Sequence, residues 1–437
     1  MSREELVALV CCDLGAIVRG RSVLGGELEA QLEHGVGWVP ANHSLTPLGP
    51  VAEPNPFGST GDLRLLPDAT TRVRVEPEDG AAPLDLILCD IVETDGRPWS
   101  CCPRAFLRAA LRDVEADLGG LVTASFEHEF QLLSDSPAAL PFSLEAQRLS
   151  EPFATRIMNA LVEAGVEPER FLAEYAAHQF EIPLAPAEGM AAADRAVVFR
   201  EVVRDVARAM QLRASFVPLL DPAEAGNGVH VHVNLLDGGG DSLLYDAARP
   251  ACLSELGGSF AAGILRHARA LSALTAPSPV SGARLQPHHW SSGAACLASE
   301  NREALLRIPP LVGVGGGDPA AQLRLEYRGA DAAANPHLAL GAILRAGLAG
   351  VREGLPAPAL LECDPAELDE AEAERFGVGA LPATLEEAMA ALADDGLVRG
   401  WLGPLLYDAY ASVKRAEVAA ARDEDLEETC RRYAAIY

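Results

Sequence analysis

The sequence predicts an α+β protein in two parts, residues 1–102 and residues 103–437. The first part reads as strand-rich, because its apolar segments carry β-branched residues and alternate with proline- and glycine-rich stretches. At Pro103 the pattern changes to apolar residues at helical spacing. Beyond it, short segments that alternate between two faces are followed by a last third rich in Ala, Leu and Glu, which reads as mostly helical.

Composition excludes several classes. A chain of 437 residues, 49% hydrophobic and 22% charged, can bury a large core and is ordinary for a globular protein. No apolar run reaches the roughly 18 residues that a membrane span needs. The opening MSREELVALVCCDLGAIVRG carries acids and no small-residue cleavage site, so it does not read as a secretory leader. The nine cysteines are odd in number, and Cys11-Cys12 and Cys101-Cys102 are adjacent rather than C-x-x-C. That usage suits a reducing cytoplasm and argues against a zinc ribbon. A formal net charge of −28 repels a phosphate backbone, so nucleic acid is not an expected partner. Anionic substrates would need local arginines or metal ions.

Taken in order, Glu5–Val10 and Leu84–Glu93 read as strands, and Trp38–Asp68 between them as a long irregular stretch. Pro103–Leu118 reads as a helix, with Phe106, Leu107, Ala110, Leu111 and Val114 on one face and proline near its start. In the strand Ala124–Leu133, Glu127 and Glu129 share one face, and Phe126, His128 and Phe130 the other. Two carboxylates at that spacing repel each other unless a cation lies between them. Glu174–Ile182 places Glu174 and Glu181 around an irregular centre. In Gly226–Asn234 a glycine-rich turn leads into a strand that puts His230, His232 and Asn234 on one face. By itself that stretch fits a metal or phosphate site and a half-exposed strand equally well. Arg324, Glu326 and Arg328 share a strand face, as they also would in a surface salt-bridge ladder. In the last third, Leu385–Leu397 and Leu406–Asp423 read as helices.

Together, five glutamates and a histidine on strands make two sets of hard, oxygen-rich ligands, which suit Mg²⁺ or Mn²⁺ rather than zinc. Arg284, Arg302 and Arg307 supply planar, bidentate donors for carboxylate or phosphate. Divalent ions with converging arginines are what phosphoryl transfer requires, since its catalysis is mostly positioning and charge neutralisation. Neither the G-x-x-x-x-G-K-[ST] loop nor a protein-kinase signature is present.

The order of these motifs resembles the glutamine synthetase superfamily over most of the chain. The matching runs include Leu66-Pro67-Asp68, Cys89-Asp90, Phe126–Phe130, Gln179-Phe180-Glu181 and Gly226–His232. They continue through Arg284–Pro287, Asn301–Pro309, Arg324–Arg328, Ala333–Pro336 and Leu381–Leu392. The resemblance implies an N-terminal β-grasp domain, 1–102. It implies a catalytic domain of the glutamine synthetase/guanido kinase type, 103–437, with a curved antiparallel sheet flanked by helices. It implies one Mg²⁺ or Mn²⁺ on Glu129, Glu174 and Glu181, and a second on Glu127, His230 and Glu326. Arg302, Arg307 and Arg324, with His232 and Asn234, fall where the family binds ATP. Arg284, Arg328 and Gly226 fall where it holds the amino-acid substrate, and Arg284, Arg302 and Arg307 carry the catalytic roles. Family active sites form between subunits of a ring, so a homo-oligomer, a hexamer or dodecamer, is expected.

The family's chemistry makes an acyl phosphate from a side-chain carboxylate and ATP, then displaces phosphate with an amine. Two departures bear on which amine. Trp290 stands where true glutamine synthetases carry a flap glutamate, and resembles the flap of γ-glutamylpolyamine and γ-glutamylmonoamide synthetases. Pro40-Ala41-Asn42-His43-Ser44 lacks the aspartate that helps bind ammonium in the ammonia enzymes. Ala225 replaces a family asparagine that contacts glutamate, and the lysine of the ATP-site signature is missing around Pro218–Pro222. The expected function is ATP-dependent ligation of glutamate, or a close analogue, to an organic amine, with a monoamine favoured over a polyamine. The alternatives are a true glutamine synthetase using ammonium and a catalytically silent structural relative.

Overall fold

The computed structural model describes residues 4–77, 80–134, 136–287, 289 and 291–437. Two separate sheets organise them. The first has six strands, in the order Val18–Leu24, Leu6–Cys12, Leu84–Glu93, Leu63–Pro67, Val36–Trp38, with Val73–Val75 also paired to Leu84–Glu93. Leu6–Cys12 and Leu84–Glu93 run parallel at its centre, where Leu9, Ile87 and Leu65 are fully buried. The expected strands thus form. Trp38–Asp68 is less irregular than its composition suggests, because it contains the strand Leu63–Pro67 and a 3-10 turn over Pro40–Ser44. The alternation of Leu63, Arg64 and Leu65 is too short to stand out against the surrounding prolines and glycines.

The second sheet has eleven strands and carries the site. Its central run is Ala304–Ile308, Leu325–Ala330, Val229–Leu236, Leu121–Leu132, Gln179–Pro183, all antiparallel to their neighbours. Toward one edge Ala294–Ser299 pairs in parallel with Ala304–Ile308 and with Leu360–Leu361, so the sheet is not antiparallel throughout. The back of Leu121–Leu132 is apolar as expected: Phe126, His128 and Phe130 are buried, and His128 stacks on Phe199 of the helix Gly189–Ala209.

Behind that helix lies Pro336–Glu353, packed against Pro103–Leu118 and Glu255–Arg266. The last contact is a backbone-to-backbone one. A Cβ on Gly263 would lie 2.1 Å from the carbonyl of Ala346, so only glycine permits this approach.

One buried arginine ties the first sheet to the helix Gly189–Ala209. Arg104 donates to both carboxylate oxygens of Asp194 (3.0 and 2.8 Å), to Asp90 and to Asp68 (3.0 Å each). His337 Nε2 sits 2.8 Å from Asp194 on the other side.

In the last third, the helix Leu385–Asp394 stops short of the expected Leu397, because the Asp395 side chain caps a new helix by accepting from the amides of Leu397 and Val398. That helix, Gly396–Ala421, bends at Gly403 (φ 69°) and Pro404, just before the expected start at Leu406. Lys414, the chain's single lysine, is fully buried on it. Among the described residues no helix is long and apolar enough to cross a membrane.

Candidate active site

Strand register builds the site. In the antiparallel ladder Glu127 lies opposite His230, Glu129 opposite Glu181, and Glu326 opposite both His232 and Arg307. Directly opposed residues share a face, so five strands deliver acids, imidazoles and a guanidinium to one surface. That surface floors a cavity of about 560 Å³. Glu127, Glu129, Glu174, Glu181, His230 and Glu326, the six expected ligands, all line it.

Their grouping differs from expectation. The ligand atoms that converge within 4.8 Å are Glu127 with Glu181 and His230, and Glu127 with His232 and Glu326. Glu127 Oε2 lies 3.2 Å from His230 Nδ1, and Oε1 lies 3.0 Å from His232 Nε2. Glu129 does not join the tight trio expected with Glu174 and Glu181; its Oε2 accepts the Gly228 amide at 2.7 Å. The physical reason is charge: three carboxylates repel one another without a cation, whereas an imidazole or an amide attracts each.

The acid strengths carry the same message. Burial, with the charge of Glu129 next, pushes Glu174 up to about 8. Burial, with the charges of Glu127 and Glu129, pushes Glu181 up to about 9. Burial would also raise Glu326, but Arg328, His230, His232 and Arg307 outweigh it and hold that carboxyl at about 2. Burial likewise opposes ionisation of Glu127, and His232 and His230 hold it well below the usual range. A surface with two acids raised by burial and by neighbouring carboxylates, and two held ionised, fits hard dications, which would replace protons on the first pair.

Arg302, Arg307, Arg324 and Arg328 line the same cavity, beside the acids. Arg307 Nη1 donates to Glu326 Oε2, Arg328 pairs with the other oxygen of Glu326, and Arg328 Nε donates to the Arg302 carbonyl at 3.0 Å. Arg324 Nε reaches His232 Nδ1 at 3.1 Å. Arg284 lies beneath the cavity lining: it is buried, donates to the Ala330 carbonyl at 2.8 Å, and keeps Nε without a partner. It supports Gly226, where a Cβ would meet the Pro218 carbonyl at 2.3 Å and Arg284 Cγ at 2.6 Å. Gln179, for which the sequence suggested no role, fixes the same loop through the Gly226 carbonyl (2.9 Å) and Asn227 Oδ1 (3.1 Å).

Two other expected positions, His232 and Asn234, do not line the cavity. Asn234 Oδ1 accepts from Ser242 Oγ at 2.7 Å, further along the strand. Trp290 lies outside the described residues. Nor does His43 offer a polar group to a ligand. Its ring is fully buried edge-on to Trp99, and burial pushes it down to about 4.

Comparison with known proteins agrees with this geometry. Residues 1–99 match the family described as glutamine synthetase N-terminal domain, and residues 100–433 the family described as glutamine synthetase, catalytic domain. The chain is 36% identical over 432 residues to γ-glutamylpolyamine synthetase GlnA3 of Streptomyces coelicolor, covering 96% of this chain and 91% of that one. It is 32% identical over 373 residues to a glutamine synthetase of Halobacterium salinarum, covering 82% and 80%. Among solved structures it superposes on a novel glutamine synthase homolog with a TM-score of 0.92 at 47% identity, over 100% and 99% of the two chains. It superposes on GmaS bound to ADP with a TM-score of 0.82 at 26% identity, over 98% and 96%.

Proposed function

The chain belongs to the glutamine synthetase family, and we propose that it acts as an ATP-dependent ligase joining glutamate, or a close analogue, to an organic amine. The observation that carries this reading is a cavity lined by all six expected metal ligands together with Arg302, Arg307, Arg324 and Arg328.

In the first step a substrate side-chain carboxylate oxygen attacks the γ-phosphorus of ATP, and the bond to ADP breaks. In the second, the amine nitrogen attacks the acyl carbon of the mixed anhydride, phosphate leaves, and the nitrogen loses a proton. Arg307 and Arg302 bind the phosphoryl oxygens in this reading, Arg324 the rest of the phosphate chain. Arg328 and the Gly226 loop hold the amino acid, and Arg284 braces that loop from below. We assign one divalent ion to Glu129, Glu174 and Glu181, whose carboxylates a cation would draw together against their repulsion, and another to Glu127, His230 and Glu326; Mg²⁺ or Mn²⁺ there would neutralise charge on the phosphates.

The organic amine follows from what the chain lacks. Ammonium is a small, strongly hydrated cation, and its site must replace water with acids and then remove a proton. Pro40–Ser44 supplies no acid, and its histidine is buried against Trp99.

The test is ATP-dependent phosphate release with glutamate and its analogues across a panel of primary amines, ammonium included, at equal concentration. An organic amine giving the highest kcat/KM supports the reading. Ammonium giving the highest would make the chain a true glutamine synthetase, like the relative from Halobacterium salinarum. No turnover with any acceptor would make it catalytically silent.

We further propose two domains, 1–102 and 103–437, supported by the two separate sheets. The assembly proposed is a hexamer or dodecamer in which Trp38–Asp68 of one subunit completes a neighbour's site; family resemblance supports it, and native mass tests it. A cytoplasmic location is supported by the nine cysteines, all of them free thiols.

A further inference from the structure

Two aromatic side chains stand at the mouth of the cavity and are more exposed than their chemistry favours. Phe142 is 52% exposed and Tyr175 43% exposed. Their rings meet edge to face, with centroids 4.8 Å apart and planes at 85°. Both line the active-site cavity, beside Glu174, Ala225 and His289. The neighbouring Leu140 and Leu144 are also exposed, at 76% and 72%, but neither lines the cavity.

Both rings are set in place by their backbones. Phe142 has φ +55°, a left-handed conformation that a bulky residue adopts only at a cost. It is held there by the Ser143 amide donating to the Leu140 carbonyl at 3.2 Å, and by Ser143 capping the helix Leu144–Leu149 through the Ala146 amide. Tyr175 sits in a loop tied down on both sides of it. The Glu174 amide donates to the Gln179 carbonyl, and the Ala176 amide to Gln179 Oε1, each at 2.9 Å. An exposed phenylalanine, strained into position over a cavity lined by charges, is a preformed apolar surface for a ligand that has an apolar part.

We propose that Phe142 and Tyr175 form the wall on which the carbon chain of the amine substrate packs, so that the enzyme selects primary amines bearing an alkyl chain over short ones. This rests on the ligase reading above. The ATP phosphates, the amino-acid carboxylates and divalent ions are polar; the alkyl part of an amine and the adenine ring of ATP are the reactant surfaces complementary to two rings, and only a wall for the amine makes the response to these rings depend on the length of the amine. A second ammonium group further along the chain would meet the ring faces favourably, so diamines fit the same wall.

The experiment measures kcat/KM for methylamine, propylamine, pentylamine and diaminobutane with the parent enzyme and with Phe142→Ala, Phe142→Leu and Tyr175→Ala, with native mass recorded for each. In the parent, kcat/KM rises with chain length. Phe142→Ala cuts the pentylamine-to-methylamine ratio by about tenfold, through the KM for amine rather than kcat, and Phe142→Leu falls between. Tyr175→Ala lowers the same ratio, which protects the test should the strained loop not tolerate change at Phe142. A ratio within about twofold of the parent in both alanine variants overturns the wall, and a change in native mass without a change in ratio assigns these rings to a subunit contact instead. No turnover by the parent with any amine removes the ligase reading itself, a result distinct from an unchanged ratio.

Discussion

The Nη1 of Arg307 donates to Oε2 of Glu326 across 2.8 Å, and the two residues lie directly opposite each other on neighbouring strands. An arginine expected to meet phosphate and an acid expected to meet metal are therefore tied together. Glu326 keeps a second guanidinium, that of Arg328, on its other oxygen. Removing Arg307 therefore leaves the carboxylate ionised and paired, and the loss falls on the transferring phosphoryl group. Arg307→Ala is expected to lower kcat on the order of a hundredfold while the KM for ATP changes much less. Steady-state kinetics at varied ATP check this; a defect confined to KM would make Arg307 a nucleotide-binding residue only.

The raised acids give a pH prediction whose sign is fixed. Glu174, at about 8, and Glu181, at about 9, hold protons in the cation-free fold that the unfolded chain releases near the ordinary glutamate value of 4.5. Between those limits the folded state binds more protons, so its stability falls as pH rises. Dications that replace those protons remove the penalty. Thermal melts with chelator should show Tm declining from pH 6 to pH 9, a decline that millimolar Mg²⁺ or Mn²⁺ suppresses and that Glu181→Gln reduces. A chelated Tm that is flat over this range would contradict the assignment.

Gly226 has no room for a side chain, since an added Cβ would press on both the Pro218 carbonyl and Arg284. Gly226→Ala is expected to cost about 1–3 kcal/mol of stability as the loop shifts. It should also raise the KM for the amino-acid substrate on the order of tenfold, because the displaced loop carries the backbone proposed to bind it. Chemical denaturation and kinetics at varied glutamate measure the two effects separately.

Lys414 donates to Glu417 at 2.8 Å, both residues are fully buried, and Tyr433 Oη donates to the other oxygen of Glu417 at 3.1 Å. Lys414→Ala strands a buried carboxyl group and should destabilise by about 3–5 kcal/mol. Lys414→Met with Glu417→Leu, which removes both partners, should recover much of that loss. Because Lys414 is the only lysine, amine-directed acylation of the native protein should leave every side chain unmodified, which peptide mass mapping checks.

Several elements were legible in the sequence because they are local. Pro103–Leu118 has the expected bounds, since proline fixes its first turn and Gly119 ends it in the left-handed conformation. Strand alternation correctly separated Glu127 and Glu129 from Phe126, His128 and Phe130. The motif series pointed to the family, and with it to the fold, because those residue types in that order require one catalytic surface.

Tertiary structure decided what depends on register and on long-range placement. Glu127 shares its two oxygens between His230 and His232, and Glu129 faces the Gly228 amide, because strand pairing and charge repulsion set those distances rather than spacing along the chain. Arg284 lies under the Gly226 loop, and Asn234 is drawn away to Ser242, for the same reason. His43 reads as a polar loop residue in sequence, but the fold packs it edge-on against Trp99, more than fifty residues away. The pairing of Phe142 with Tyr175 is invisible in the chain, because it joins two loops that only the packed strands bring to the same cavity. Periodicity and residue type are properties of a segment, whereas contact between segments is settled by the burial and pairing of the whole.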